Sequence, residues 1–103
     1  MLELNNRKEF DELLKKEKKP IILDFYASWC TPCKAIAPHF SDLAEMYKTI
    51  CFVKVNCDDA DDIAELFAVE ALPTFVLVKN GVEISRFCGG KHSQLDDMVR
   101  KAL

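Results

Sequence analysis

The chain is 103 residues long, half of its residues are hydrophobic, and its formal net charge is −3 at pH 7. This length and composition suit one compact core, so we expect a single domain over residues 1–103. Acidic and basic residues are interspersed, no hydrophobic run approaches the roughly 20 residues that span a bilayer, and the first residues do not resemble a secretory signal. These features argue against nucleic acid or a membrane as a partner, and we expect a monomer in the cytoplasm.

The first half of the chain predicts two helices on either side of a buried strand. Asn6 can cap a helix over residues 7–16. The hydrophobic run at 21–27 is typical of a strand buried on both faces, and we expect it to be the central strand of a sheet. Helical spacing continues from Pro32 to about Lys48, and Pro38 inside this helix is expected to kink it.

The second half predicts a strand, a helix, a hairpin and a last helix. β-Branched and aromatic residues at 51–56 predict a strand, and a helix follows over 58–68. Two strands at 74–87 flank Asn80-Gly81, a strong hairpin signal, and Ser93 can cap the final helix. We therefore expect an α/β fold. Its central mixed sheet has parallel N-terminal strands and an antiparallel C-terminal hairpin, and four helices flank it.

Five cysteines in so short a chain indicate thiol chemistry. Cys30 and Cys33 form a Cys-x-x-Cys pair where the central strand ends and the next helix begins. The free N–H groups and the dipole of that helix favour a thiolate on Cys30, while Cys33 is expected to be more buried and to attack a mixed disulfide. A zinc site would need a second pair or histidines at ligand spacing, and neither is present. We therefore expect redox chemistry and no metal.

The segment from Asp24 to Lys34, DFYASWCTPCK, resembles the active-site segment of thioredoxins. The resemblance continues through residues 52–56 and 72–75 to Gly89. It implies the thioredoxin fold and the reduction of protein disulfides by dithiol–disulfide exchange, with Cys30 as the nucleophile and Cys33 as the resolving thiol. It also implies recycling by thioredoxin reductase with electrons from NADPH. Disulfide-containing clients such as peroxiredoxins, a part in cell redox homeostasis and no cofactor beyond the Cys30–Cys33 disulfide follow from the same resemblance.

One position departs from the family pattern. The two residues between the cysteines are usually Gly-Pro, whereas this chain has Thr31-Pro32. The intervening residues tune the reduction potential, so a protein disulfide oxidase or isomerase is an alternative to a reductase. A redox-gated protein-binding module, which uses the cysteines only as a switch, is a second alternative.

Asp24 is the candidate proton acceptor. It is the only charged residue in the run 21–27, so burial should raise the pKa of its carboxyl and let it exchange a proton with Cys33. The resemblance implies this role, and an aspartate at a sheet edge facing water is the alternative. Lys54 matches the lysine beside this aspartate in the family, although a lone strand lysine can equally be solvated.

Client binding is expected on a rim around the cysteine pair. The resemblance implies a cis Leu72-Pro73 bond beside the disulfide, although a trans bond is the better guess from X-Pro statistics alone. Backbone groups of Leu72 and Thr74 would then bind an extended client by strand addition. The rim residues are Trp29, Thr31, Pro32, Ala71, Leu72, Pro73, Thr74, Gly89 and Gly90.

The remaining cysteines and acidic residues carry weaker signals. Cys51 and Cys57 lie on or beside a strand, where we expect buried packing. Cys88 adjoins Gly89 near the rim and is a candidate regulatory thiol, open to oxidation or glutathionylation. The acidic cluster at 58–62 lacks the glycine and the terminal glutamate of a calcium loop, so we expect it to begin a helix.

Overall fold

The computed structural model describes all 103 residues and contains five strands and four helices. In chain order these are β1 (Leu2–Leu4), α1 (Arg7–Lys16), β2 (Ile21–Tyr26), α2 (Thr31–Met46), β3 (Cys51–Asn56), α3 (Asp61–Leu66), β4 (Thr74–Lys79), β5 (Val82–Cys88) and α4 (His92–Ala102). The strands form one sheet in the order β1-β3-β2-β4-β5. β3 pairs in parallel with β1 and β2, whereas β4 is antiparallel to β2 and β5. The expected mixed α/β architecture is confirmed.

The sheet carries one hydrophobic cluster on each face, with β2 in the middle as predicted. Ile22 packs into the cluster formed with α2 and α4, and its neighbours Ile21, Leu23 and Phe25 pack into the cluster formed with α1 and α3. This alternation follows from the pleat of a strand. Asp24 therefore points to the same face as Ile22, toward α2.

Two local predictions are confirmed by hydrogen bonds and dihedral angles. The Asn6 side chain accepts a hydrogen bond of 2.9 Å from the backbone N–H of Glu9 and so caps α1. Asn80 and Gly81 have φ of 53° and 77°, the left-handed values that a tight hairpin turn requires. The turn places β4 and β5 side by side in the antiparallel register expected for them.

Two helix starts differ from the predictions. α3 begins at Asp61 and not at Asp58, because a turn at the end of β3 comes first, in which the Asn56 carbonyl accepts the N–H groups of Asp59 and Ala60. α4 begins at His92, with Lys91 at its N-cap, so Ser93 is not the cap.

A contact between helices accounts for the earlier start of α4. The ring of His92 stacks on the ring of His39 from α2, with centroids 4.4 Å apart. His39 also contacts Asp96, one turn further along α4, at 2.7 Å. Such contacts favour a helical conformation at His92, and tertiary context commonly outweighs local preferences of this kind.

Candidate active site

The Cys30–Cys33 pair is joined as a disulfide at the N-terminus of α2. Cys30 is the N-cap of this 16-residue helix, and its sulfur accepts the backbone N–H of Cys33 at 3.3 Å. The first N–H groups of a helix lack intrahelical partners and carry the positive end of its dipole. In the dithiol form, the same N–H group is placed to stabilise a thiolate on Cys30.

The two sulfurs differ in the cavity that each cysteine lines and not in how deeply they are buried. Both residues are 4% exposed, so the expectation that Cys33 is the more buried is wrong: Ala27, Leu72 and Tyr26 pack around both. Cys30 lines an open groove of about 480 Å³. Cys33 lines a separate pocket of about 100 Å³ that it shares with Asp24.

Asp24 is buried in the middle of the sheet. It is 2% exposed, and its Oδ1 has no hydrogen-bond partner. Burial raises the pKa of Asp24 from 3.8 to about 7, and the Lys54 charge, which lowers it, offsets only part of this effect. Because β2 is flanked by β3 and β4, the edge-strand alternative is excluded. A carboxyl with this pKa can accept and return a proton at neutral pH.

Lys54 lies beside Asp24 as its register partner on β3. The residue is half-buried, so it is not the freely solvated strand lysine of the alternative prediction. Its ammonium nitrogen lies 4.4 Å from the centre of the Tyr26 ring, within the range of a cation–π contact. The lysine therefore has a defined position at the mouth of the Asp24 pocket.

The groove next to Cys30 is mostly apolar, and an exposed tryptophan forms part of it. Trp29 is 69% exposed, and its indole N–H donates a 3.0 Å hydrogen bond to Asp58. Asp58 was assigned from sequence to a helix start, and its contact with Trp29 was missed. A usable signal existed, because Asp58 follows β3, whose C-terminal end lies beside that of β2 in a parallel pair. The lining residues are Trp29, Cys30, Thr31, Pro32, Cys57, Ala64, Val69, Glu70, Ala71 and Leu72.

The Leu72-Pro73 bond is cis, as the resemblance implied. Leu72 lines the groove, and Pro73 is buried behind it. The carbonyl of Pro73 accepts the N–H of Gly89 at 2.9 Å, and Gly89 has a φ of 110°, which favours glycine. A Cβ at Gly90 would lie 3.5 Å from the carbonyl oxygen of Pro32, so this loop abuts the first turn of α2.

Thr74 does not reach the groove. It is fully buried, and its hydroxyl donates to the carbonyl of Ala71 at 2.6 Å. As the first residue of β4 it is paired with Phe25 on one side and with Cys88 on the other. The expected contact of Thr74 with a client is therefore corrected: Thr74 supports the segment that ends in Leu72 and Pro73.

The other three cysteines are free thiols with different surroundings. Cys51 and Cys57 are half-buried, and burial raises the pKa of each to about 11, so both are protonated at neutral pH. Both pack against the hydrophobic cluster on the α1 and α3 face, as expected, although neither is fully buried. Cys57 also lines the groove beside Cys30, which was not expected. Cys88 is exposed, and its sulfur lies 3.2 Å from the Thr74 hydroxyl.

Two further observations concern metals and membranes. His, Cys, Asp and Glu side chains nowhere form a group of three or more that could hold a metal ion. None of the helices combines the length and the apolar character needed to cross a membrane.

Disulfide exchange proceeds by attack of one sulfur on another, and a group beside a thiol can assist by taking its proton. The pair has a groove beside Cys30 and a carboxyl, that of Asp24, in the pocket that Cys33 lines. This arrangement defines a thiol–disulfide oxidoreductase.

Comparison with known proteins identifies the family. The family model described as Thioredoxin matches residues 1–101. Thioredoxin-1 of Caenorhabditis elegans is 44% identical over 92 residues, which are 88% of this chain and 80% of that protein. The X-ray structure of Fasciola hepatica thioredoxin has a TM-score of 0.97 and 33% identity, with both chains covered fully. The chain belongs to the thioredoxin family and is a protein-disulfide reductase.

A second similar structure comes from work on a yeast enzyme system. It concerns the thiol-resolving mechanism of the yeast mitochondrial 1-Cys peroxiredoxin via glutathione and thioredoxin systems. Its matching chain has a TM-score of 0.91 and 37% identity, and the match covers 98% of this chain and 94% of that one.

Proposed function

We propose that this protein reduces disulfides of cytoplasmic client proteins and takes its electrons from NADPH through a thioredoxin reductase. The observation that carries the proposal is the division of the two cysteines between cavities. Cys30 lines the larger groove, whereas Cys33 lines the smaller pocket that contains Asp24. The attack on the client disulfide can then take place in the groove beside Cys30, and the attack by Cys33 can use the carboxyl in its own pocket.

In the first step, the Cys30 thiolate attacks one sulfur of a client disulfide. A bond forms between the Cys30 sulfur and that client sulfur, the client disulfide breaks, and the other client sulfur leaves as a thiolate and takes up a proton. The N–H of Cys33, 3.3 Å from the Cys30 sulfur, supports the thiolate before the attack. The product is a mixed disulfide in the groove.

In the second step, Asp24 takes the proton of Cys33, and the Cys33 thiolate attacks the Cys30 sulfur. The bond between Cys30 and the client breaks, the second client sulfur leaves as a thiolate, and the Cys30–Cys33 disulfide forms. Two electrons have passed to the client. The pKa of about 7 suits Asp24 to this transfer, because an acceptor works best with a pKa near the ambient pH. The reductase then returns two electrons to the disulfide.

The groove gives the proposal its client class. Its lining is mostly apolar and includes Leu72 and Trp29 together with Cys30, so an extended client segment with apolar residues next to its cysteine would fit. Peroxiredoxins are proposed among the clients, and the similar chain from the yeast peroxiredoxin system supports them.

We also propose that the protein works as a monomer. Both edges of the sheet have features that discourage pairing with a second sheet. β1 has only three residues, and β5 carries an ion pair between Glu83 and Arg86. Sedimentation should give the mass of one chain.

The proposed cytoplasmic location has its own test. A fluorescent fusion should be cytoplasmic, and a mitochondrial signal would overturn that part of the proposal.

The test of the reaction is insulin reduction driven by NADPH and a thioredoxin reductase. Wild type should turn over rapidly, and both Cys30→Ser and Cys33→Ser should be inactive. Cys33→Ser should also accumulate a mixed disulfide with a peroxiredoxin, visible on a non-reducing gel, because the resolving thiol is missing. Cys51→Ser, a change at a half-buried thiol outside the groove, is the matched control and should behave as wild type. An inactive, folded wild type would overturn the proposal.

The direction of electron flow is tested by equilibrating the disulfide with glutathione. A potential near −270 mV, the known value for a thioredoxin, supports a reductase, whereas a value near −180 mV, that of protein disulfide isomerase, would favour isomerisation. Thr31→Gly restores the usual residue of the family and measures the contribution of Thr31 in the same assay.

A further inference from the structure

A lysine between two carboxylates forms no ion pair in this structure. Lys54 on β3 is the register partner of Glu3 on β1 and of Asp24 on β2. Register partners direct their side chains to the same face of a sheet, and opposite charges at such a distance attract. None of the ion pairs of the protein nevertheless includes Lys54, Glu3 or Asp24.

Tyr26 contacts both charges. Its hydroxyl donates a 2.6 Å hydrogen bond to a carboxylate oxygen of Glu3, and its ring lies beneath the Lys54 ammonium at 4.4 Å. Tyr26 is two residues from Asp24 on β2 and lines the same pocket. Burial, followed by the hydrogen bond to Glu3, raises the pKa of Tyr26 above its ordinary value, so the hydroxyl keeps its proton and donates.

We propose that Tyr26 is a positioning residue for the proton acceptor of the reaction. By binding Glu3 through its hydroxyl and Lys54 through its ring, it keeps the two charges apart and leaves the lysine charge available to Asp24. The inference rests on the proposed role of Asp24 as proton acceptor. It adds Tyr26 of β2 and Glu3 of β1 to the groups that set the proton affinity of Asp24.

The sign of the effect follows from the charges around Asp24. Burial raises the pKa of Asp24, Lys54 lowers it, and Glu3 raises it. A direct ion pair between Glu3 and Lys54 would cancel most of the effect of the lysine, so the pKa of Asp24 would rise further. The carboxyl would then hold its own proton at neutral pH and would accept the Cys33 proton less often.

Groups on three strands and one helix surround the Asp24 carboxyl, and its β4 neighbour is apolar. The register partner on β4 is Phe75. The sheet contributes three titratable or charged groups, which are Glu3 from β1, Tyr26 from β2 and Lys54 from β3. Cys57, directly after β3, is a fourth, and α2 adds Cys33 and Lys34.

The test is a carbon-13 NMR titration of the Asp24 carboxyl in the dithiol protein. Tyr26→Phe keeps the ring and removes the hydroxyl, which frees Glu3 to pair with Lys54. The Asp24 titration should move upward by about half a pH unit or more, since an opposite charge nearby moves a pKa by roughly 1–3 units. The same substitution made together with Glu3→Gln should give no upward shift, because no carboxylate competes for the lysine. Tyr47→Phe, at the end of α2, is the matched control and should leave the titration unchanged.

Glu3→Gln alone provides a second, independent variant. Its amide oxygen can still accept the Tyr26 hydroxyl, and the loss of a negative charge should move the Asp24 titration downward. If the pKa of Asp24 in folded Tyr26→Phe is the same as in wild type or lower, the inference is overturned. It is also overturned if Tyr26→Phe still raises this pKa in a protein that already carries Glu3→Gln.

Kinetics separate this inference from the proposed function. Asp24→Asn should change the pH profile of insulin reduction, and Tyr26→Phe should then have no further effect on that profile. If Asp24→Asn leaves the profile unchanged, the proton-acceptor role fails together with the inference. If Asp24→Asn changes the profile and Tyr26→Phe leaves it as in wild type, only the positioning role of Tyr26 fails.

Discussion

Burial of Asp24 should cost stability, and Asp24→Asn should recover it at neutral and higher pH. The pKa of this carboxyl rises from 3.8 to about 7 on folding, because the charged form is removed from water. Between these two values the folded protein holds a proton that the unfolded chain has already released, so stability falls as the pH rises. Below pH 3.8 both states are protonated and the effect vanishes.

The magnitude follows from the same two pKa values. A difference of one pKa unit corresponds to about 1.36 kcal/mol, so the full penalty at pH 8 is about 4 kcal/mol. Domains of this size are stable by only about 5–15 kcal/mol in total. The penalty is therefore a large part of the stability that remains.

Urea unfolding followed by circular dichroism, in the disulfide form from pH 4 to pH 8, measures this effect. The free energy of unfolding of Asp24→Asn minus that of wild type should grow by about 4 kcal/mol across the range and level off above pH 7. A constant offset between the two proteins reflects only the packing of the amide. Asp42→Asn, at an exposed position on α2, should show no such growth. A difference for Asp24→Asn that is flat, or that shrinks as the pH rises, would refute this reasoning.

Three further substitutions test the groove and its supports. Gly89→Ala should destabilise the protein by about 1–2 kcal/mol in urea unfolding, because its φ of 110° disfavours a side chain; Gly90→Ala should cost less. Trp29→Phe keeps a ring but loses the indole N–H hydrogen bond that holds it at Asp58, so KM for insulin should rise about fivefold, and the free energy of unfolding should fall by about 1 kcal/mol or less. Cys57→Ser should also raise KM about fivefold, since a client bound in the groove would bury the serine hydroxyl without a partner at a cost of about 1 kcal/mol, whereas Cys51→Ser, outside the groove, should leave KM unchanged.

The central strand and its carboxyl could be predicted from sequence because burial leaves a local pattern. An apolar run as long as 21–27 is typical of a strand that is covered on both faces, and a single aspartate within it is expected to share that burial. The Cys-x-x-Cys pair could be placed for a related reason. Its position between a strand and a helix follows from local residue types alone.

The contacts that complete the site could not be predicted in this way. The bond from Trp29 to Asp58 joins residues 29 positions apart, and the bond from Tyr26 to Glu3 joins residues 23 positions apart. The parallel pairing of β2 and β3 brings Asp58 to the same end of the sheet as Trp29 but does not specify their hydrogen bond. Nothing in the local pattern indicates that β1, which carries Glu3, lies beside β3. Thr74 shows the same limit, because a β-branched residue at a strand end has the same pattern whether it faces a client or the sheet.

The two cavities on either side of the disulfide are built from different parts of the chain, and this has a consequence for evolution and engineering. The groove is made largely of loop segments, namely those that follow β2 and β3 and contain Trp29 and Cys57, and the segment 69–72 between α3 and β4. The Asp24 pocket is made mostly of β2, β3 and α2. Loop residues can change with little effect on a hydrophobic core. Selection for a new client can therefore act on the groove while the Asp24 pocket, held in the scaffold, is inherited unchanged.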